Sequence, residues 1–435
     1  MAASYFPQWM EKRTGVIAPD ERLPWSAALP LGVQHVIAMF GATVLAPLLM
    51  GFDPNVAILM SGVGTLVFFF VVGGRVPSYL GSSFAFIGVV IAATGYAGSG
   101  ANANIGVALG GIVACGALYA LIAIGVMAAG TQWIERLMPP VVTGAIVAVI
   151  GLNLAPIAVK GATATPFDAW MALVTILCVA GVAVCLRGTL QRLPILLGLV
   201  LAYIVYALLT NGAGLGKPVD WSGVAHAAWV GVPRFAAPVW NAGAIALIAP
   251  VAVVLVAENL GHLKAVSAMT GRNLDPYIGR AFLGDGLATI AAGMVGGTGV
   301  TTYAENIGVM AVTRIYSTLL FVVAGCIAIL LGFSPKFGAL IQTIPGPVLG
   351  GVSIVVFGLI TVAGARIWVQ NQVGFSDNRN LLVAAVTLVL GAGDFTVRIG
   401  SFALGGIGTA TFGAILLHAL LRPRDGSAQA PSTRM

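Results

Sequence analysis

The chain has 435 residues, of which 59% are hydrophobic and only 8% charged, with 21 Lys and Arg against 14 Asp and Glu for a formal net charge of +7. A soluble domain is typically about 25% charged, so this sequence could not cover a water-facing surface, and its expected solvent is a lipid bilayer. The basic residues are scattered between apolar segments rather than gathered into a patch, which argues against a nucleic-acid partner and suits a topogenic role.

Residues 1–28 carry charges and no apolar run of signal-peptide length, and are expected to form a cytoplasmic N-terminal segment. Seven apolar segments follow at 29–50, 55–73, 77–94, 105–128, 139–157, 168–186 and 193–210. A loop at 211–242 carries Trp221, Trp229 and Trp240, suited to a membrane interface. Seven more segments lie at 243–264, 277–296, 300–313, 316–334, 346–364, 380–396 and 402–421, and residues 422–435 read as a disordered cytoplasmic tail. A helix needs roughly 20 apolar residues to cross a bilayer. The segments at 77–94 and 300–313 are short and interrupted. The expected fold class is therefore an all-α membrane protein with about 14 transmembrane segments.

With the N-terminus inside, the inner stretches hold sixteen of the Lys and Arg residues. The outer loops hold five, namely Lys160, Lys217, Arg234, Lys336 and Arg398. That positive-inside bias predicts an even span count and both termini in the cytoplasm. Cys115, Cys178, Cys185 and Cys326 sit in apolar runs without metal-ligand spacing and are expected as small buried hydrophobes. There is no P-loop, no HExxH and no nucleophile–base set, so no enzymatic activity, metal or organic cofactor is expected.

The two halves resemble each other. PVVTGAIVAVIGL (140–152) aligns with PVLGGVSIVVFGL (347–359), and SFAFIGVV (83–90) aligns with YAENIGVM (303–310). The second match sets Phe84 opposite Ala304 and Ala85 opposite Glu305. An odd number of spans per copy makes the copies inverted: 29–210 holds spans 1–7 and 243–421 holds spans 8–14. In transporters built on inverted repeats the substrate site lies near mid-membrane, where broken segments of the two copies meet. The interrupted pair 77–94 and 300–313 occupies that position.

Ionisable residues in such segments are costly and usually functional. Glu258 and His262 lie four apart in VAENLGH, on one helical face, so they can touch. Glu305 stands on the broken tenth segment. Asp285, between glycines in FLGDGLATI, reads as a structural tether, and Gln34 and His35 as polar glue between helices. His226 and His418 read as loop and helix-end residues. Carboxylates accept only, so they would read ligand N–H groups. Free backbone N–H groups of a broken segment would read carbonyl oxygens. The combination suits a small, flat heterocycle of alternating N–H and C=O, carried together with a proton.

ENIGVMAVTR (305–314) is similar to the signature of the nucleobase–ascorbate transporter family. QH (34–35), YLGSSFAF (79–86), VAENLGH (256–262) and TTYAENIGV (301–309) resemble its bacterial uracil-permease branch. GGTGVTTYAENIGV (296–309) is most similar to the Rut-type pyrimidine permeases within it. The resemblance covers roughly residues 25–422. It implies a core of spans 1–4 and 8–11, a gate of spans 5–7 and 12–14, short strands in broken spans 3 and 10, and a homodimer. By motif, Glu258 and Glu305 would bind the nucleobase, and the backbone amides of Phe84 and Ala304 would meet its carbonyl oxygens. Tyr303 and Ala42 would pack around the ring, and His262 would pair with Glu258 in proton coupling. The implied function is uracil import, with thymine as a second substrate, by proton symport in the inner membrane. Alternatives are a xanthine or other purine permease of the same fold, or an anion transporter. Ala304 in place of a frequent Gly, Asn259 beside the acid, and Gly299-Val300 depart from the pattern and bear on fine specificity.

Overall fold

The computed structural model describes residues 4–98, 100–187, 191, 193–399 and 402–421. In the first half the helices are α1 (Trp25–Met50), α2 (Pro54–Val71), α3 (Ala85–Thr94), α4 (Ile105–Ala129), α5 (Gln132–Leu137), α6 (Pro140–Ala162), α7 (Pro166–Cys185) and α8 (Pro194–Ala207). A short helix, α9 (Ser222–His226), lies in the loop between halves. The second half holds α10 (Ala242–Ile248), α11 (Val251–Thr270), α12 (Ile278–Val295), α13 (Ala304–Thr313), α14 (Thr318–Gly332), α15 (Pro335–Gln342), α16 (Gly346–Gln370), α17 (Asn378–Ala392) and α18 (Gly406–Leu420). Each of the fourteen apolar segments contains a helix. Among the described residues, nine helices are long and apolar enough to cross a membrane, or ten if the pair α14–α15, bent by 81°, is one span. The segment 243–264 is two helices, because Pro250 lacks the N–H that would continue the α10 ladder.

Six short strands pair two by two. β1 (Met10–Glu11) runs parallel to β2 (Glu21–Arg22), and β5 (Val397–Ile399) is antiparallel to β6 (Phe402–Leu404). The expected strands of the broken segments are β3 (Leu80–Ser82) and β4 (Val300–Thr302). They pair antiparallel, Leu80 with Thr302, Gly81 with Thr301 and Ser82 with Val300. The strand pairs at β1–β2 and β5–β6 were not expected from the sequence, since two- and three-residue strands carry too little periodicity to read.

Helix packing follows an exchange of partners. α2 packs on α14 as α4 packs on α12, and α2 and α12 also meet each other. α7 packs on α8 and α16, while α17 packs on α18 and α6, and α6 crosses α16. Glycines permit the closest approaches. A Cβ on Gly116 would stand 2.8 Å from the Gly286 carbonyl oxygen, and a Cβ on Gly62 would strike the Gly325 carbonyl oxygen. Small residues let backbones approach this way where lipid offers helices no hydrophobic drive to associate.

α1 begins at Trp25, and residues 4–24 fold against the protein, with Ile17 only 1% exposed. One expectation needs correction. Of the cysteines, Cys115 is buried, Cys178 half-buried, and Cys185 and Cys326 exposed. Apolar and buried separate here because the outer face of a membrane helix meets lipid. The tail 422–435 lies outside the described residues.

Candidate functional site

The β3–β4 ribbon places two ten-residue helices, α3 and α13, so that each begins where its strand ends. A three-residue strand spans about 10 Å, so the two helix N-termini stand one ribbon-length apart. Tyr303 N–H donates to the Tyr79 carbonyl at 3.0 Å and Ser83 N–H to the Gly299 carbonyl at 2.9 Å, which fixes the join between the copies. The backbone N–H groups of Phe84 and Ala304 make no hydrogen bond among the described residues. Ala304 is exposed and Phe84 is 8% exposed. Free amides at a helix start carry the positive end of the helix dipole and suit an anionic or carbonyl oxygen.

α11 packs against both halves of this unit, touching α3, β4 and α13. It brings Glu258 to the ribbon, where the Ser83 hydroxyl lies 3.4 Å from Glu258 Oε2. Glu305 stands in the first turn of α13, the half-helix that packs against α11. Both carboxylates are partly open rather than sealed. His262 is one turn on from Glu258, but its Nδ1 is 2.9 Å from Thr302 Oγ1. No hydrogen bond joins His262 to Glu258 among the described residues. The i, i+4 spacing allows that contact, and the β4 hydroxyl takes the imidazole instead.

The polar groups behind the site form a chain. The Thr302 hydroxyl reaches Asn259 Oδ1 at 3.5 Å, and Asn259 Nδ2 donates to Asp285 Oδ2 at 2.5 Å and to Tyr119 Oη at 3.0 Å. Asp285 and Asn259 are 0% exposed. The tether expected at Asp285 therefore runs to the neighbour of Glu258. A second link is Asn306 Nδ2, which donates to the His35 carbonyl at 3.0 Å and lies 3.0 Å from His35 Nδ1. This joins α1 to α13 and gives His35 the glue role read from the sequence. Gln34 Nε2 is buried without a partner. Tyr303 is 3% exposed, its hydroxyl donating to the Ser82 carbonyl at 2.9 Å and accepting from Thr43 at 3.0 Å. Ala42, next to Thr43, is 1% exposed. Tyr303 covers Gly81, where a Cβ would lie 2.5 Å from its ring.

Of the other histidines, His226 Nδ1 contacts the Ser222 carbonyl within α9, whereas His418 is held by Arg379, whose Nε donates to its carbonyl at 3.2 Å. Sequence reasoning did not find Ser83, Thr302, Asn306 or Tyr119. The alignment of the two half-helix segments could have drawn attention to Ser83 and Thr302, which flank the paired positions. Nothing local marks Tyr119.

A crevice of about 820 Å³ opens between α11 on one side and α6 and α16 on the other, lined by Thr143, Leu260, Gly261, Lys264, Ile367 and Gln370 among others. Leu260 and Gly261 lie between Glu258 and His262 in sequence, so the crevice reaches the turn of α11 that carries the candidate site. Lys264, at its edge, pairs with Glu135 of α5 at 3.0 Å and with Asp275 at 2.8 Å.

Comparison with known proteins identifies the family. A family model described as "Permease family" (Xan_ur_permease) matches residues 26–400. The chain is 68% identical over 425 residues to the putative pyrimidine permease RutG of Escherichia coli (strain K12), covering 97% of this chain and 96% of that one. It is 42% identical over 418 residues to the uracil permease of Bacillus caldolyticus, covering 92% and 93%. Among solved structures, the transmembrane domain of the cyanobacterial bicarbonate transporter BicA matches with a TM-score of 0.61 at 16% identity, covering 90% of this chain and 97% of that one. SLC26A9 matches with a TM-score of 0.61 at 14% identity, covering 90% and 65%. At these identities the structural matches speak for the fold. A helix-rich chain with many apolar spans, matched along most of its length by permeases, is a multi-pass membrane transporter, and it belongs to the nucleobase–ascorbate permease family.

Proposed function

We propose that this permease imports uracil, with thymine as a second substrate, by proton symport. The observation that carries the reading is the arrangement around one short ribbon of Glu258, 3.4 Å from the Ser83 hydroxyl, Glu305 in the first turn of α13, and the free amides of Phe84 and Ala304. A pyrimidine dione has two N–H groups and two carbonyls in alternation. Carboxylates can take only the first and amides only the second. The names of the relatives at 68% and 42% identity support the pyrimidine class. The same acids disfavour an anionic substrate. Tyr303 and Ala42 wall the site from α13 and α1. The proton is the only coupling partner required. It rides on Glu258, with His262 and the Thr302–Asn259–Asp285 chain tuning that carboxylate from behind.

The exchange of helix partners, α2 with α14 for α4 with α12, and the antiparallel ribbon support two inverted seven-span copies. On this reading α1–α4 and α10–α14 form the core, and α6–α8 and α16–α18 the gate. The crevice between α11 and α6/α16 is then the cytoplasmic mouth of the path. Transport would be an elevator-like movement of the core against the gate, in the inner membrane, with both termini cytoplasmic and the protein as a homodimer.

The test is equilibrium binding of uracil to purified protein, with thymine, xanthine and sulfate as competitors. Glu258→Gln and Glu305→Gln each lose a charged acceptor, at about 1.5–3 kcal/mol, and should weaken binding roughly 10- to 100-fold. Unchanged affinity in both variants, or displacement by sulfate rather than thymine, would contradict the assignment.

A further inference from the structure

We propose that the segments preceding the two halves, residues 4–24 and 228–239, are a matched pair of straps that hold the half-helices α3 and α13 in register at opposite ends of the core. This rests on the functional reading above only in what the register is for.

The first strap is built from aromatic and backbone contacts. Phe6 stacks on Phe69 at 5.8 Å, and Trp9 stacks on the same ring at 5.8 Å. The Tyr5 hydroxyl donates to the Phe70 carbonyl at 2.8 Å, and Arg75 donates to the Ser4 carbonyl at 2.7 Å. These contacts grip the turn that leads from α2 into β3. There Gly73 and Gly74 have φ of +65° and +62°, and a Cβ on Gly74 would lie 2.8 Å from the Trp9 ring. Further along, Ile17 N–H donates to the Arg314 carbonyl at 3.1 Å, and the Ile17 carbonyl accepts from Tyr316 N–H at 2.8 Å. Trp9 Nε1 donates to Thr318 Oγ1 at 2.9 Å, and that hydroxyl donates to the Pro19 and Gly74 carbonyls, both at 3.0 Å. Asp20 closes the set with Arg272 at 2.6 Å. One segment thus ties the entry to β3 in the first half to the exit of α13 in the second.

The second strap does the converse. Ala236 N–H donates to the Val295 carbonyl at 3.1 Å, at the turn that leads from α12 into β4. Gly296 there has φ of +101°, and a Cβ on it would lie 2.9 Å from Ala236 N. Val239 N–H donates to the Gly106 carbonyl at 2.7 Å, in the first turn of α4, the helix that follows α3. Gly231 N–H donates to the Phe333 carbonyl at 2.9 Å, and Lys336 lies over the Trp229 ring at 4.7 Å. The first strap joins the entry of β3 to the exit of α13, and the second joins the entry of β4 to the start of α4, the helix that follows α3. The hydrogen bonds that the first strap makes beyond itself run to the α2–β3 turn, the α11–α12 turn and the α13–α14 junction, so it is placed to travel with the core. Its residues reach the ligand only through α3 and α13 and are positioning residues.

Two measurements decide this. In Ile17→Cys/Ile315→Cys, a disulfide would link neighbours of a bridge about 5 Å apart. Oxidation should leave uracil uptake in liposomes within about twofold of the reduced form, because the strap does not move against the core. Loss of uptake on oxidation, restored by reductant, would overturn the proposal. In Trp9→Ala with Asp20→Ala, KM for uracil should rise about tenfold. Turnover per folded molecule should change little, and amide exchange across residues 304–313 should speed up. Unchanged KM and unchanged exchange, with only a lower yield of folded protein, would reduce the strap to a stabilising element and overturn it. If the unaltered protein fails to take up uracil, the transport reading falls, and the exchange comparison still decides the strap.

Discussion

A carboxyl group with no exposed surface must find its hydrogen bonds inside the protein. Asp285 takes one from Asn259 and leaves Oδ1 without a partner. Asn259 in turn serves Tyr119 and faces the Thr302 hydroxyl, so one carboxamide holds α11, α12, α4 and β4 together. Asn259→Leu would take a donor from Asp285 and Tyr119 and an acceptor from Thr302 at once. We expect a loss of about 1–3 kcal/mol for each buried group left unpaired, read as a lower Tm in detergent. An unchanged Tm would show that water or a rearranged side chain replaces the amide. The acids themselves were legible, because a Glu in a segment of this composition stands out. Thr302, Ser83 and Tyr119 were not, since hydroxyls are common in apolar segments and only the fold shows which one meets Glu258 and which meet His262 and Asn259.

The ribbon and its two half-helices are the elements on which the site depends, and the repeat visible in the sequence paired their positions. It did so because the chemistry sits on the most constrained backbone, where both copies need Ile-Gly-Val at the same step of the helix. Helix ends were less legible. α16 runs to Gln370, well past 364, and α5, α9 and α15 are too short to carry an apolar period. The crossings of α4 with α12 and α2 with α14 turn on glycine. Gly286→Leu would force a side chain between backbones that a Cβ already approaches to 2.9–3.0 Å. Overpacking of this kind costs about 1–3 kcal/mol or more, and the expected result is reduced folded yield with the Glu258 site intact in the protein that survives. A fully folded variant of normal stability would mean the helices can part without loss.

The first strap has its own pH signature. Glu21 accepts from the Ala18 N–H at 2.8 Å and pairs with Lys12 at 3.0 Å. The backbone bond is the larger cause that holds its carboxyl below the usual value of 4.5. A carboxyl lowered by folding stabilises the fold above its unfolded pKa and loses that contribution as pH falls through its folded pKa. The strap should therefore loosen only in acid below about pH 4.5, with protease access to residues 4–24 as the readout. Loosening between pH 6 and 8 would point to another group.

Across the whole molecule, the membrane class, the fourteen apolar segments and the pairing of the broken ones follow from composition and pattern. The packing of the N-terminal segment was not legible, because its few aromatic residues gain meaning only against Phe69 and Phe70. The fold shared with bicarbonate and SLC26 transporters at 14–16% identity shows how one scaffold serves different solutes. In this chain the substrate reading rests on the acids at the ribbon, Glu258 and Glu305. The most direct measurement is uptake of radiolabelled uracil into liposomes, with and without an inward proton gradient, for the unaltered protein and for Glu258→Gln. The account predicts accumulation above equilibrium only with the gradient, and its loss in the variant. Accumulation that ignores the gradient, or that persists in Glu258→Gln, would contradict it.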